Sequence, residues 1–331
     1  MKKVAVLKDN KAGHYNQSLA LAYAIEKGFD EVQVDIYTIK VYKLSKYLLR
    51  FMLNNHFGRK VLSKPYSLNF VKFFYKIDKP LSKADIIISS GKDTSMLNVW
   101  LGLVYNAKSI YIGHPKKLNY KLFDKVFSVL DLGFENQVLL DVAPTLPYSE
   151  DIEKFCKEHN LDVNDSYYTL LIGGDGSGYN YSEKEYDNLI SFVNSHKDKK
   201  WLVTTSRRTP LHIEKKMQKD MNCAMFVAYN QEPKKVVGAF LKLCDMAFVT
   251  QESASMLNEA ISFQKPVISL YPKDRKEEDN YKDILQNFAK KGCLHMQDIN
   301  KLDNLSIKDI KFQLIDKNSI EEMKEKLKGI I

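Results

Sequence analysis

The sequence predicts an α/β protein of two Rossmann-like domains, each a parallel sheet with helices on both faces. Short β-rich runs alternate regularly with helical patterns, the signature of parallel sheets covered on both sides. The alternation occurs twice, before and after a break at 141–166 where Pro144 and Pro147 precede a polar, acidic stretch. A length of 331 residues suits two domains of ordinary size, each able to bury its own core. The expected limits are 1–145, with a basic helical insert at 40–83, then 160–315, and a final segment 316–331 packing back toward the first domain.

KVAVLK reads as the first strand, its apolar run too short for a signal peptide. A helix from about Asn16 to Lys27 and the strand EVQVDIY follow. After the irregular basic region come ADIIISS, a helix over Ser95 to Tyr105, SIYIG and DKVFSVL. The second set runs YYTLLIGG, a helix from Glu183 to about His196, KWLVTTS, a helix around Ile213, CAMFVA, and a helix from Lys234 to Leu243. It closes with MAFVT, a helix beginning near Ser253, and PVISLYP. Ser319–Gly329 reads as a charged amphipathic helix.

Apolar content of 44% and charged content of 27% are those of a soluble globular protein. No run approaches the ~18–20 apolar residues of a transmembrane helix. Cys156, Cys223, Cys244 and Cys293 have neither disulfide-framework nor zinc spacing, so a reducing cytoplasm is expected. The net charge of +9 is concentrated between Lys40 and Lys83, where eleven Lys/Arg face one acid, Asp78. That segment lacks a recognisable nucleic-acid motif, so DNA or RNA is not an expected partner. Leu44, Tyr47, Leu48 and Phe51 fall at helical spacing, and so do Val71, Phe74 and Tyr75. Two core-packed helices with solvated lysines would explain this. A basic amphipathic face docked peripherally on an anionic membrane would do so too.

Candidate chemistry lies in the strand-to-helix loops, which open at the carboxyl edges of the sheets where doubly wound folds bind ligands. The loop from Asp9 to Gln17 holds Gly13 for a tight turn, His14 as a proton acceptor near neutral pH, and Gln17 to fix a hydroxyl. Ser89–Ser95 contains the pair Gly91-Lys92 without the earlier glycine of a P-loop; Thr94 and Ser95 are explained equally by helix capping and by acceptor contact. Gly173-Gly174-Asp175-Gly176-Ser177-Gly178 places four glycines in six residues, freeing backbone N–H groups to cradle an anion. It does not match the dinucleotide fingerprint, so NAD is disfavoured. Thr204–Pro210 carries Arg207 and Arg208, an oxyanion clamp in prospect, although a solvated turn is the better description of one of them. Finally, Gln251–Glu259 combines small hydroxyl residues, Ser253 and Ser255, at a helix N-terminus with a carboxylate one and a half turns on. An ordinary capped helix, with Ser253 as N-cap and Glu259 solvated, is the competing description.

Together, D-x-K-x-G-H-x-x-Q (Asp9, Lys11, Gly13, His14, Gln17), LIGG in mid-chain, TTSRRTP and VTxESxSMxxEA resemble the plant "elongated mitochondria" fission proteins and their bacterial relatives, which are grouped with glycosyltransferases. More distantly, the chain is similar to the peptidoglycan N-acetylglucosamine transferase and to Kdo transferases. The resemblance implies a GT-B-like fold, with the two domains facing across a cleft and the nucleotide-sugar on the C-terminal one. It implies that Glu259 holds the donor ribose and that Ser253 and Ser255, with Gln251 in the same turn, meet the donor phosphates. Gly173, Gly174, Ser206 and Arg207 would line the remainder. His14 occupies the place of a general base, with Asp9 and Asp93 as alternatives, and Lys11, Gln17 and Lys92 fall on the acceptor side. Lys11-Ala12 interrupts what is a more glycine-rich loop in the plainer transferases.

The expected function is an inverting glycosyltransferase using a nucleotide-activated sugar to build a cell-surface glycan, lipopolysaccharide or lipid-linked product. No cofactor is expected, nor a metal, since the chain has no D-x-D, H-E-x-x-H or cysteine cluster. A scaffold that keeps the fold without turnover, or a nucleotide-sugar 2-epimerase, would share the architecture.

Overall fold

Val4, Ala5, Val6 and Leu7 are all buried, as an unbroken apolar run requires of a strand covered on both faces. They lie in β1 (Lys2–Lys8), an inner strand of a seven-stranded sheet. The computed structural model describes residues 1–331, the side chain of Ala12 apart, as two compact units: Met1–Leu146 with Ser319–Ile331, and Pro147–Asn318.

In the first unit β1 leads into α1 (Ala12–Gly28) and β2 (Val32–Val41). Three helices then fill the basic insert: α2 (Ser45–Asn54), α3 (His56–Leu62) and α4 (Val71–Phe74). β3 (Tyr75–Ile77), β4 (Ile86–Ser90), α5 (Lys92–Tyr105), β5 (Lys108–Ile112), β6 (Lys125–Ser128) and β7 (Gln137–Leu139) complete the set. The sheet order is β3-β2-β1-β4-β5-β6-β7, parallel except for the β2–β3 edge. Chain order therefore reverses between β1 and β4, so the loops after these two strands open side by side. Buried Asn98 fixes α5 against the sheet, its amide donating to Ser89 Oγ (2.9 Å) and to the Ile110 carbonyl (2.8 Å).

The second unit opens on α6 (Ile152–Glu158), β8 (Tyr167–Leu171), β9 (Tyr179–Asn180), α7 (Glu183–Ser195), β10 (Lys200–Thr204) and α8 (Leu211–Asp220). β11 (Met225–Val227), α9 (Val237–Leu243), β12 (Cys244–Thr250) and α10 (Ala254–Ser262) follow. β13 (Val267–Tyr271), β14 (Asp274–Arg275), α11 (Asp279–Lys290) and β15 (Leu294–Asp298) end it. Its six-stranded sheet is wholly parallel, order β11-β10-β8-β12-β13-β15, and its reversal lies between β8 and β12. β9 and β14 form a separate antiparallel ribbon. The last helix, α12 (Ser319–Leu327), belongs to the first unit, where Met323 and Leu327 are buried with Leu21 and Ile25 of α1.

Two helices begin earlier than their sequence patterns indicate. α1 starts at Ala12 rather than Asn16, and α5 at Lys92 rather than Ser95. In α5 the glycine at the N-cap, with φ +91°, turns the chain straight from strand into helix. α9 starts at Val237 rather than Lys234, because Pro233, Lys234 and Lys235 are exposed and give a helical turn nothing to pack on. The strands β3, β7 and β15 and the helices α6 and α11 have no counterpart in the sequence reading; the strands are short edge pieces with weak alternation.

The two apolar stripes of the basic insert separate. Val71 and Tyr75 are buried, and Phe74 meets Trp100 edge-on with ring centres 5.5 Å apart. On α2 it is Leu49 and Leu53 that are buried, while Leu44 at its N-cap and Tyr47, Leu48 and Phe51 are 90, 62, 55 and 68% exposed. Among the described residues no helix is long and apolar enough to cross a membrane.

Candidate functional site

Each unit brings its candidate residues together near the reversal of its own sheet. In the first, the loop after β1 and the start of α1 place His14 over the loop after β4. His14 Nδ1 is 2.8 Å from Asp9 Oδ2, and the other Asp9 oxygen accepts the Lys11 N–H at 2.9 Å. Burial alone would raise the Asp9 carboxyl, but the bond to His14 and the Lys11 N–H outweigh it and hold it below its ordinary value of 3.8. An ionised Asp9 accepting from Nδ1 leaves Nε2 as the basic nitrogen, and no described residue bonds it. The ring lies on Gly91: a Cβ there would fall 2.1 Å from His14 Nδ1. Gln17 is tied in place by Ser90, whose hydroxyl donates to Oε1 at 3.1 Å.

Asp9 is therefore engaged on both oxygens, one of them bonded to the histidine ring. Asp93 is half-buried in the first turn of α5 and makes no bond to His14. Lys11 and Lys92 are exposed. Thr94 does not cap α5; its hydroxyl donates back to the Ser90 and Gly91 carbonyls, both at 2.8 Å, and that of Ser95 donates to Lys92 O at 2.8 Å.

In the second unit the loops after β8, β10 and β12 meet around a residue the sequence reading passed over, Glu252. Its carboxylate accepts from Tyr181 Oη at 2.6 Å and from Arg208 Nη2 at 2.9 Å, and its side chain is wholly buried. Burial raises its pKa, and the Tyr181 bond and the Arg208 charge oppose that without cancelling it. The Glu252 carboxylate lies directly on Gly173: a Cβ there would fall 1.6 Å from Glu252 Oε1 and displace it. Its N–H donates to Thr250 Oγ1 (2.7 Å) and its carbonyl accepts from the Ser206 hydroxyl. Gly174, at φ +93°, bridges to Arg208, where a Cβ would lie 2.6 Å from the Arg208 carbonyl.

The glycine loop is thus partly committed to its own fold, with Gly173 N–H given to Thr250 and Gly176 N–H to the Tyr179 carbonyl (3.0 Å). The two arginines divide: Arg208 is locked to Glu252, whereas Arg207 is exposed and in no ion pair among the described residues. Buried Ser253 occupies the N-cap of α10, yet its hydroxyl makes no capping bond. Ser255 is exposed in the first turn. Gln251 is buried with its Oε1 unpartnered. Glu259 is half-buried with no partner among the described residues, and burial pushes its pKa up to about 7. Arg208 is named by the sequence pattern but its partners are not; the one local signal for Glu252 is its position just after the apolar run of β12 and before Ser253.

A family model described as mitochondrial fission ELM1 matches residues 12–313. The chain belongs to that family. Its ELM1 fold is that of GT-B proteins. A crystal structure of MurG from Acinetobacter baumannii is similar at 12% identity and TM-score 0.54, covering all of this chain and 95% of that one. The spinosyn rhamnosyltransferase SpnG, solved with thymidine diphosphate, is similar at 11% identity and TM-score 0.51, covering 99% of this chain and 95% of that one. A Listeria monocytogenes protein designated a UDP-N-acetylglucosamine 2-epimerase is similar at 12% identity and TM-score 0.52, covering 98% and 91%. A search of curated proteins returns no match.

Proposed function

We propose that this ELM1-family chain is an inverting, metal-independent glycosyltransferase that moves a sugar from a nucleotide to a cell-surface glycan, lipopolysaccharide or lipid-linked acceptor. The observation that carries the reading is the 2.8 Å pair of His14 Nδ1 with Asp9, which leaves Nε2 free beside a glycine backbone. An acceptor hydroxyl is a weak nucleophile and needs such a base. As the hydroxyl oxygen bonds to the anomeric carbon, His14 Nε2 takes its proton. The bond from that carbon to the donor phosphate oxygen breaks, and its electron pair leaves on the nucleotide.

Donor binding is assigned to the second unit. The uncapped N-terminus of α10, with the Ser253 hydroxyl and Arg207, suits a diphosphate. The partnerless Glu259 suits a pair of ribose hydroxyls, which would satisfy a half-buried carboxylate that nothing else does. Gly173 and Gly174 supply the close backbone approach. On the acceptor side stand Lys11, Gln17 and Lys92. The exposed face of α2, with the lysines of the insert, supports docking on an anionic membrane, where a lipid-linked acceptor would be met.

The deciding experiment is a turnover screen with uridine, guanosine and cytidine diphospho- or monophospho-sugars, run on wild type and His14→Ala. Turnover that falls about 10²–10⁴-fold in the variant, with nucleotide affinity retained, is the expected result. Unchanged turnover would place the base elsewhere. The family description names fission rather than a transfer reaction, which favours a second reading, a non-catalytic nucleotide-binding member. Nucleotide binding without turnover for any sugar would select it.

A further inference from the structure

A cavity of about 260 Å³ in the first unit lies between α2, the start of α5 and the loop after β5. Lys46, Arg50, Lys92, Lys116 and Lys117 line it, together with Tyr47, and no acid does. None of the five cations enters an ion pair among the described residues, so no carboxylate of the chain neutralises the cluster. Five cations around one cavity repel each other in the absence of an anion, so their convergence is unfavourable unless something negative occupies it.

The wall is built rather than incidental. Asn54, the last residue of α2, donates to the Lys117 carbonyl at 3.1 Å and accepts the Asn119 N–H at 3.2 Å, pinning the loop to the helix. Lys116 is held at φ +56°, a conformation that disfavours a side-chain-bearing residue, by its N–H donating to His114 Nδ1 at 2.7 Å. Lys46 and Arg50 both lie over the Tyr47 ring, at 5.6 and 5.8 Å from its centre, which ties two long cationic side chains to a ring that also lines the pocket.

We propose that this pocket binds the phosphate or diphosphate group of the acceptor. Arg50 offers the paired donors that match phosphate oxygens, and the lysines supply point charges around them. Lys92 directly follows Gly91, whose backbone carries the His14 ring, so a molecule anchored here by its phosphate is held next to the base. Assigning the phosphate to the acceptor rests on the transfer reading; the binding itself does not.

Calorimetric titration of the full chain with inorganic pyrophosphate, in the absence of nucleotide, tests the site. Co-sedimentation with phosphatidylcholine vesicles, with and without phosphatidic acid, separates a lipid headgroup from a free phosphate. Arg50→Gln/Lys117→Gln, confirmed folded by its thermal transition, should weaken pyrophosphate or phosphatidic-acid binding at least about tenfold, and the wild-type affinity should fall with salt. UDP affinity, measured in parallel, should not change, and a loss confined to UDP in Glu259→Gln reports on the donor site alone. Binding of pyrophosphate only, or of phosphatidic acid only, supports the pocket and names its source. No binding of either, or equal binding by wild type and variant, overturns it.

Discussion

Glu259 is the residue on which the donor assignment can be tested by pH. Burial raises its pKa to about 7 in the folded protein, against 4.5 ordinarily. Between those values the folded chain holds a proton the unfolded chain has lost. The stability linked to this group is therefore whole below about pH 4.5 and falls as the pH rises through about 7. Glu259→Gln should flatten that decline in thermal stability. Nucleotide affinity should run the opposite way, because only the ionised carboxylate accepts from two ribose hydroxyls. Titrations on either side of pH 7 should show tighter binding at the higher pH in wild type and no such trend in Glu259→Gln. A wild-type affinity independent of pH would remove Glu259 from the site. The divided roles of Arg207 and Arg208 have a related cause. Two adjacent arginines read alike in sequence, and only the position of Glu252 shows which one is already neutralised.

At the scale of elements, α12 illustrates how a distant segment completes a unit. Ser319 donates its hydroxyl to the Thr145 carbonyl at 2.9 Å and accepts the Thr145 N–H at 3.0 Å, which fixes where the helix enters. Met323 and Leu327 then close the apolar face of α1. Leu327 is fully buried, so Leu327→Ala should cost about 2–5 kcal/mol in chemical denaturation. A loss well under about 1 kcal/mol would mean that α12 only rests on the surface. The amphipathic pattern of Ser319–Gly329 foretold a packed helix, and its charged face foretold the exposed side. The starts of α1 and α5 were less legible, because Lys11 and Gly91 supply no capping side chain.

For the whole molecule the feature to test is the exposed apolar and basic side chains of the insert. Leu44, Tyr47, Leu48 and Phe51 together with Phe57, Phe70 and Phe73 are exposed, amid lysines that a neutral surface would not favour. Liposome co-sedimentation should show binding that requires anionic lipid, weakens with salt, and falls when Lys72 and Lys76 become Glu. Lys79 is better left in place, since it pairs with Asp35 at 3.3 Å. Equal binding to neutral vesicles, or none to anionic ones, would end the membrane reading.

The sequence by itself determined the two doubly wound sheets, because alternating apolar runs and helical patterns admit few other arrangements. It also placed the candidate loops at strand ends, since the glycines and hydroxyls after β1, β4, β8, β10 and β12 stand there wherever those strands pair. What it left open was every question of partnership. Helical spacing marks Leu44–Phe51 and Val71–Tyr75 alike, but only packing against Trp100 and its neighbours buries the second and leaves the first outside. Asp9 and Asp93 stand in sequence as alternatives to His14 for the base, and only the turn after β1 shows that Asp9 is bonded to the histidine's Nδ1. Glu252 and Arg208 are 44 positions apart and meet only through the order of β8, β10 and β12. Period and composition are local properties of a chain, whereas ion pairs, burial and orientation depend on which distant segments the fold makes neighbours.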